Sequence, residues 1–207
     1  MKITKRQYLS NPCGESSLPY WKAVKLDVPE NMLIRHDRHF CSECYPDYTD
    51  EPYFRLYHDL RGLRAAALPD GFRLCEATPA EYAAHINECY ADASMTEAEM
   101  ASYVKHSVYS PALWIAVQER KSKKIVATGI AELDEQVGEG ILEWIQVSSA
   151  YRGRGLGAYV VTELLNRIAE KAQFATVSGQ INNPCKPEKL YRKCGFQGND
   201  RWHILRK

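Results

Sequence analysis

The sequence predicts a mixed α/β fold in which helices cover both faces of a sheet. Three observations carry that expectation. Short β-branched and aromatic runs recur from Phe72 to the C-terminal end. Stretches with helical periodicity fall between several of them, and turn residues separate one run from the next. Read in order, the chain offers strand-like pairs and then a β-α-β-α-β succession, which calls for a layered α/β arrangement.

The elements follow in chain order. Residues 1–70 form a first zone, rich in aromatics, His and turn residues such as Pro12, Gly14, Pro29 and Pro46. Within it, WKAVKL and MLIRH flank a VPEN turn and are expected to pair as a hairpin with a four-residue loop. YFRLYHDL is a third apolar run whose type the pattern leaves open. LPDG at 68–71 punctuates the end of the zone. A second zone, 71–207, is regular. FRLCEA reads as a strand. Thr78 is then an N-cap, with Pro79 at the first helical position. Thr96 caps a second helix expected to run to about Val108, with Glu97 and Glu99 suited to its positive end. LWIAVQE, KKIVATGIAEL and ILEWIQV read as strands, the last two separated by QVGEG. From Gly155 to Lys171 a helix is expected, striped by Leu156, Val160, Leu164 and Ile168, with Glu163 and Arg167 paired on its outer side. FATVSGQ, PEKLYRKCGF and RWHILRK complete the pattern as strand, short helix and strand.

Composition narrows the function classes. The chain has 207 residues, 45% hydrophobic and 26% charged, ordinary values for a folded globular protein. With 27 basic and 26 acidic residues it lacks the cationic excess of a phosphate-backbone binder, so no nucleic-acid partner is expected. No apolar run reaches the length of a membrane span, and the first residues lack the apolar core of a secretory signal. Seven cysteines without such a signal read as reduced thiols in a cytoplasmic protein.

The chemistry concentrates in EWIQVSSAYRGRGLGAYVV. There a buried strand runs into a glycine-punctuated turn that opens a long amphipathic helix. Glycine lets a backbone approach a ligand closely. The first N–H groups of a helix lack intrahelical partners and sit at its positive end, which suits a diphosphate. Arg152 and Arg154 add cationic donors. The spacing of Gly153, Gly155 and Gly157 is neither that of a P-loop nor the GxGxxG of dinucleotide folds.

Arg152-Gly153-Arg154-Gly155-Leu156-Gly157 resembles the [Q/R]-x-x-G-x-[G/A] loop of the GNAT acetyltransferase superfamily. The strand ILEWIQVSS before it is similar to the family's fourth strand, and Leu190–Phe196, LYRKCGF, resembles the family's LYxxxGF motif. The resemblance covers about residues 72–207; some bacterial members carry extensions at the N-terminal side. It implies a mostly antiparallel central sheet, splayed between the family's strands 4 and 5, and an N-acetyltransferase using acetyl-CoA. It implies that residues 71–207 are the acetyltransferase domain; residues 1–70 fall outside the resemblance, and their aromatics Tyr20, Trp21, Tyr53, Phe54 and Tyr57 are expected to dock them as an extension on it. The backbone of Ile145, Gln146 and Val147 would bind the pantetheine arm. Residues Arg152, Gly153, Arg154, Gly155, Leu156, Gly157 and Ala158 would hold the pyrophosphate. Tyr191 would protonate the departing thiolate. An asparagine after the family's fifth strand often contacts pantetheine, and Asn183 is the candidate, with Asn182 its rival because the spacing to Tyr191 is one residue longer than usual.

Elementary chemistry fits these roles. Amine attack on a thioester builds negative charge on oxygen, which a backbone N–H near Val147 would stabilise. An amine must shed its proton before attacking, so a base is useful. Glu143 is the choice, because strict alternation would set it on one face with Ile141, Ile145 and Val147 and so raise its pKa by desolvation. Each role has a plainer counterpart: Glu143 as a structural carboxylate, Tyr191 as a packing tyrosine, and the arginines as solvated charges. The alternative function is a non-catalytic acyl-CoA-binding sensor on the same fold. Cys41 and Cys44, with His36 and His39 nearby, have zinc-ligand chemistry but lack a second pair at finger spacing, so no metal is expected. The expected acceptor is the amine of a small molecule or peptide, and the expected state a monomer or homodimer.

Overall fold

The computed structural model describes residues 3–90 and 93–207. Among these described residues the architecture is mixed α/β, with eight strands in a mostly antiparallel arrangement and six α-helices. The chain divides into two compact units, Asp59–Ala175 on one side and Met1–His58 with Thr176–Lys207 on the other. These units differ from the two zones of sequence texture, since the N-terminal residues group with the C-terminal ones.

The unit Asp59–Ala175 contains β3 (Phe72–Cys75), α3 (Pro79–Cys89), α4 (Glu97–Tyr103), β4 (Trp114–Glu119), β5 (Ile125–Asp134), β6 (Glu139–Val147) and α5 (Leu156–Ile168). Its strands run in the order β6-β5-β4-β3, each antiparallel to the next. Helix α3 starts where expected: the Thr78 hydroxyl accepts from the Glu81 N–H, and the Glu81 carboxylate accepts from the Thr78 N–H at 2.7 Å. Thr96 and Glu99 repeat the device at α4. That helix ends at Tyr103, earlier than the sequence suggests: the N–H groups of Lys105 and His106 bond three residues back, to Ser102 and Tyr103, and the Val108 carbonyl accepts the N–H of Leu133 on β5 at 2.8 Å. The stripe on α5 is fully buried. It lies against β5 and β6 where these strands carry Gly129 and Gly140; a side chain at either would run into Val160 or Ile168. On the opposite face, Tyr82 and Ile86 of α3 and Met100 of α4 cluster with Ala116 and Ile130.

In the second unit, β1 (Met32–His36) and β2 (Thr49–His58) both pair antiparallel with β8 (Gln197–Arg206), in the order β1-β8-β2-β7. Strand β7 (Phe174–Gln180) contains the boundary between the units. Helices α1 (Lys5–Ser10), α2 (Tyr20–Ala23) and α6 (Pro187–Lys193) complete it. The hairpin expected from WKAVKL and MLIRH does not form. Tyr20–Ala23 is a helical turn in which the N–H groups of Lys22 and Ala23 bond to the Pro19 carbonyl, and MLIRH takes β8 as its partner instead. The open run YFRLYHDL belongs to β2 as far as His58.

A buried arginine organises this unit. The Arg55 guanidinium donates to the Tyr8 hydroxyl (2.9 Å), Ser178 Oγ (3.0 Å), Thr176 Oγ1 (3.3 Å) and the Pro12 carbonyl (3.3 Å). One side chain thus ties α1, the following turn and β7 to β2. His36 bonds Asp200 at 2.9 Å, and the Trp202 indole donates to the Cys13 carbonyl at 2.8 Å.

Candidate active site

Two groups of sequence-predicted residues fall in different units. Glu143, Ile145, Gln146, Val147 and the segment Arg152–Ala158 belong to Asp59–Ala175; Asn183 and Tyr191 belong to the other unit.

In the first group, the pairing of β5 with β6 shifts register at one step. Ile130 opposes Trp144 while the next residue, Ala131, opposes Leu142, so Glu143 is the extra residue of a β-bulge. This corrects the alternation read from sequence. Ile145 pairs with Gly129 and faces α5, whereas Ile141 pairs with Glu132, on the face that holds Ile130. The strand changes face at Glu143, because an inserted residue reverses the parity of every side chain beyond it. Glu143 is half-buried there.

The carbonyls of the expected pantetheine strand already take side-chain donors: the Tyr90 hydroxyl donates to the Ile145 carbonyl at 3.1 Å, and Arg152 Nε to the Val147 carbonyl at 3.2 Å. The side chain of Gln146 is buried on the opposite face, where its amide donates to Thr128 Oγ1. Thr128 Oγ1 lies 2.8 Å from His85 Nδ1, and His85 Nε2 lies 3.0 Å from Ser148 Oγ. Burial pushes the His85 pKa below its ordinary value. The Ser148 hydroxyl, with Lys124, holds the Glu88 carboxyl below the usual range. This chain of contacts pins the end of β6 to α3. Sequence reasoning missed it; the one signal was a His on the helix face that also carries Tyr82 and Ile86.

The turn after β6 fits a phosphate group. Gly155 is the N-cap of α5 at φ 83°, and no side chain caps the helix there. Gly153 also has positive φ, at 76°, while Gly157 is already helical. Around the Gly155 α-carbon the nearest atom to a Cβ would be Pro69 Cγ, at an ordinary contact of 3.6 Å. Glycine is needed here for its backbone conformation, not to relieve a clash within the chain. Arg152 and Arg154 are exposed; Arg154 lies over the Tyr151 ring, 5.0 Å from its centroid. Leu156 is buried at the head of the stripe and Ala158 is exposed.

In the other unit, Tyr191 is buried on α6, its ring 5.8 Å from Phe196 and 6.1 Å from Phe54. Gly195 ends the helical segment at φ 98°, and a Cβ there would sit 2.6 Å from His58 Nε2. Phe196 is thus placed by packing and Gly195 by helix termination. Asn183 Oδ1 accepts the Cys185 N–H at 2.9 Å, a local turn contact. The Cys41 thiol donates to Glu43 at 2.9 Å, and among the described residues no group of three or more His, Cys, Asp or Glu is arranged to hold a metal ion. No helix among them is long and apolar enough to cross a membrane.

A glycine-capped helix behind a bulged strand, on an antiparallel α/β scaffold, makes a candidate anion-binding site. Residues 110–198 match the model of an acetyltransferase (GNAT) domain. That match covers less than half of the 207 residues. Among solved structures it is similar to a GCN5-related N-acetyltransferase from Sphaerobacter thermophilus, with a TM-score of 0.69 at 19% identity over 86% of this chain and 61% of that one. A protein from Drosophila gives 0.63 at 15% identity, over 93% and 67% of the two chains. A GNAT-family acetyltransferase from Colwellia psychrerythraea gives 0.61 at 14%, over 84% and 64%. At these identities the likeness is one of fold, and the chain spans about two thirds or less of each of these proteins. The comparison with curated proteins found no match.

Proposed function

We propose that this chain transfers the acetyl group of acetyl-CoA to a primary amine of a small molecule or peptide. The observation that carries the reading is the N-terminus of α5, which has a glycine cap in the left-handed region, no side-chain cap, and two exposed arginines in the preceding turn. It lies inside the segment that matches the GNAT domain.

Bound acetyl-CoA would supply an activated acetyl thioester; the protein's part is to bind, orient and move protons. The Arg152–Ala158 turn is assigned the diphosphate, through backbone N–H groups and the two guanidinium groups. The Ile145–Val147 backbone is assigned the pantetheine arm. Gln146 would act through its main chain, because its side chain is engaged with Thr128. Glu143 is assigned the amine proton, since a bulge re-aims a side chain out of the strand's regular alternation. Tyr191 is assigned the proton for the leaving thiolate, supported by its place in LYRKCGF, and Asn183, after β7, a pantetheine contact. Residues 71–207 are the proposed acetyltransferase domain and residues 1–70 an addition acting on the acceptor, in a cytoplasmic enzyme that needs no metal.

Calorimetry with acetyl-CoA and a thiol-release screen across amine classes test this. Micromolar affinity is expected, on the order of −8 kcal/mol. Gly155→Val should abolish it, because a β-branched residue strongly resists φ near 83° and the turn would rearrange. Unchanged CoA binding in that variant would sink the site assignment. Binding with no thiol release from any amine would favour the acyl-CoA sensor. Tyr191→Phe should lower kcat by about 10²–10⁴-fold with CoA affinity retained, the range for a general acid. An unchanged kcat, with chemistry rate-limiting, would return Tyr191 to packing.

A further inference from the structure

We infer that Cys41 and Cys44 form a redox site, an exposed dithiol that a small-molecule disulfide converts reversibly into an intramolecular disulfide. The inference is independent of the proposed acetyl transfer.

Both cysteines are exposed and free, at the ends of a 3-10 turn closed by the Cys44 N–H on the Cys41 carbonyl at 3.0 Å. Such a closed turn brings its first and fourth α-carbons within about 7 Å. A disulfide spans α-carbons about 4.4–6.8 Å apart. The fold also holds the turn from both sides. Phe40, just before it, stacks on His203 of β8 with centroids 3.7 Å apart. Tyr45, just after it, accepts Arg35 Nε of β1 at 3.1 Å. The two rings lie parallel, 6.1 Å apart. Anchored flanks cut the entropy lost when the thiols join, which favours closure over two separate adducts.

The turn assigns different roles to the two sulfurs. The Cys41 thiol donates to the Glu43 carboxylate at 2.9 Å. That bond pushes the Cys41 pKa up. The thiolate is the attacking species, and the Cys41 proton is engaged by the Glu43 carboxylate, so Cys44 is assigned the first attack. Its sulfur attacks one sulfur of the small disulfide, breaks that S–S bond and expels one thiolate, which takes up a proton. Cys41 then loses its proton to Glu43 or solvent and attacks the Cys44 sulfur of the mixed disulfide. The second small thiolate leaves and is protonated. The dithiol has lost two electrons and two protons, and one small disulfide has become two thiols. Excess small thiol reverses both steps.

The test uses the native full-length chain, oxidised glutathione at about pH 8, alkylation and peptide mapping; at that pH an ordinary thiol is partly ionised. Cys185 is also exposed and serves as the internal control. The expected result is a Cys41–Cys44 disulfide, with glutathione retained on Cys185. Cys41→Ser should trap a stable glutathione adduct on Cys44. Cys44→Ser should react at Cys41 at least about threefold more slowly than Cys41→Ser reacts at Cys44, because the thiolate fraction limits attack. Glu43→Gln should shorten the time from mixed disulfide to closure. Two glutathione adducts on Cys41 and Cys44 without closure, or modification of Cys185 with neither of them touched, would overturn the inference.

Discussion

The two compact units hold themselves together by different means. In Asp59–Ala175 the interior is mostly a contact between apolar faces: the α5 stripe on β5 and β6, and α3 with α4 on the other side. In the unit of β1, β2 and β8, single polar side chains join segments far apart in sequence. Arg55 reaches Tyr8, Pro12, Thr176 and Ser178; His36 reaches Asp200; His203 lies 2.8 Å from Asp50. Apolar packing spreads its energy over many weak contacts, so one truncation is locally absorbed. A buried polar junction concentrates it, because losing one member leaves the others unsatisfied.

Substitutions can break that contrast. Arg55→Met should be the most damaging, at about 3–5 kcal/mol, because several buried acceptors lose their shared donor at about 1–3 kcal/mol each. Urea unfolding would measure it, and a loss under about 1 kcal/mol would show that solvent replaces the junction. Leu164→Ala should follow at about 3 kcal/mol, as a cavity on the α5 stripe that neighbours can partly fill. If it exceeds Arg55→Met, the contrast between the units fails.

A smaller effect sharpens the comparison inside Asp59–Ala175, where His85 is one of several buried polar residues. Its folded pKa lies below its ordinary value because burial disfavours the imidazolium. As pH falls, the unfolded chain takes up this proton before the folded one does. The His85 contribution is therefore fully present above about pH 6.5 and is lost as pH drops toward the folded value. His85→Gln should flatten that acid-side slope while lowering stability overall. Equal slopes in the two proteins would show that His85 does not control it.

Local physics made part of the molecule legible in advance. The Thr78-Pro79 start of α3, the stripe on α5 and the strands around QVGEG depend on contacts within a few residues or on periodicity, and a sequence displays both. The glycine turn was legible for the same reason, since a left-handed N-cap is a property of one residue. The β-bulge at Glu143 was not. Whether a strand alternates cleanly depends on the register of its neighbour, and one extra residue reversed the parity on which the reading of its environment rested.

By itself the sequence determined the α/β class, the helix starts and the segment that resembles a GNAT coenzyme loop. Only the tertiary structure decided the partner of MLIRH, the helical turn in place of the WKAVKL strand, the junction at Arg55 and the His85 contacts beneath β6. The division has one physical cause. Capping, periodicity and backbone preference act over a few residues. Strand pairing and buried hydrogen bonds join residues separated by tens of positions, and the energy that selects them exists only when both partners are in place.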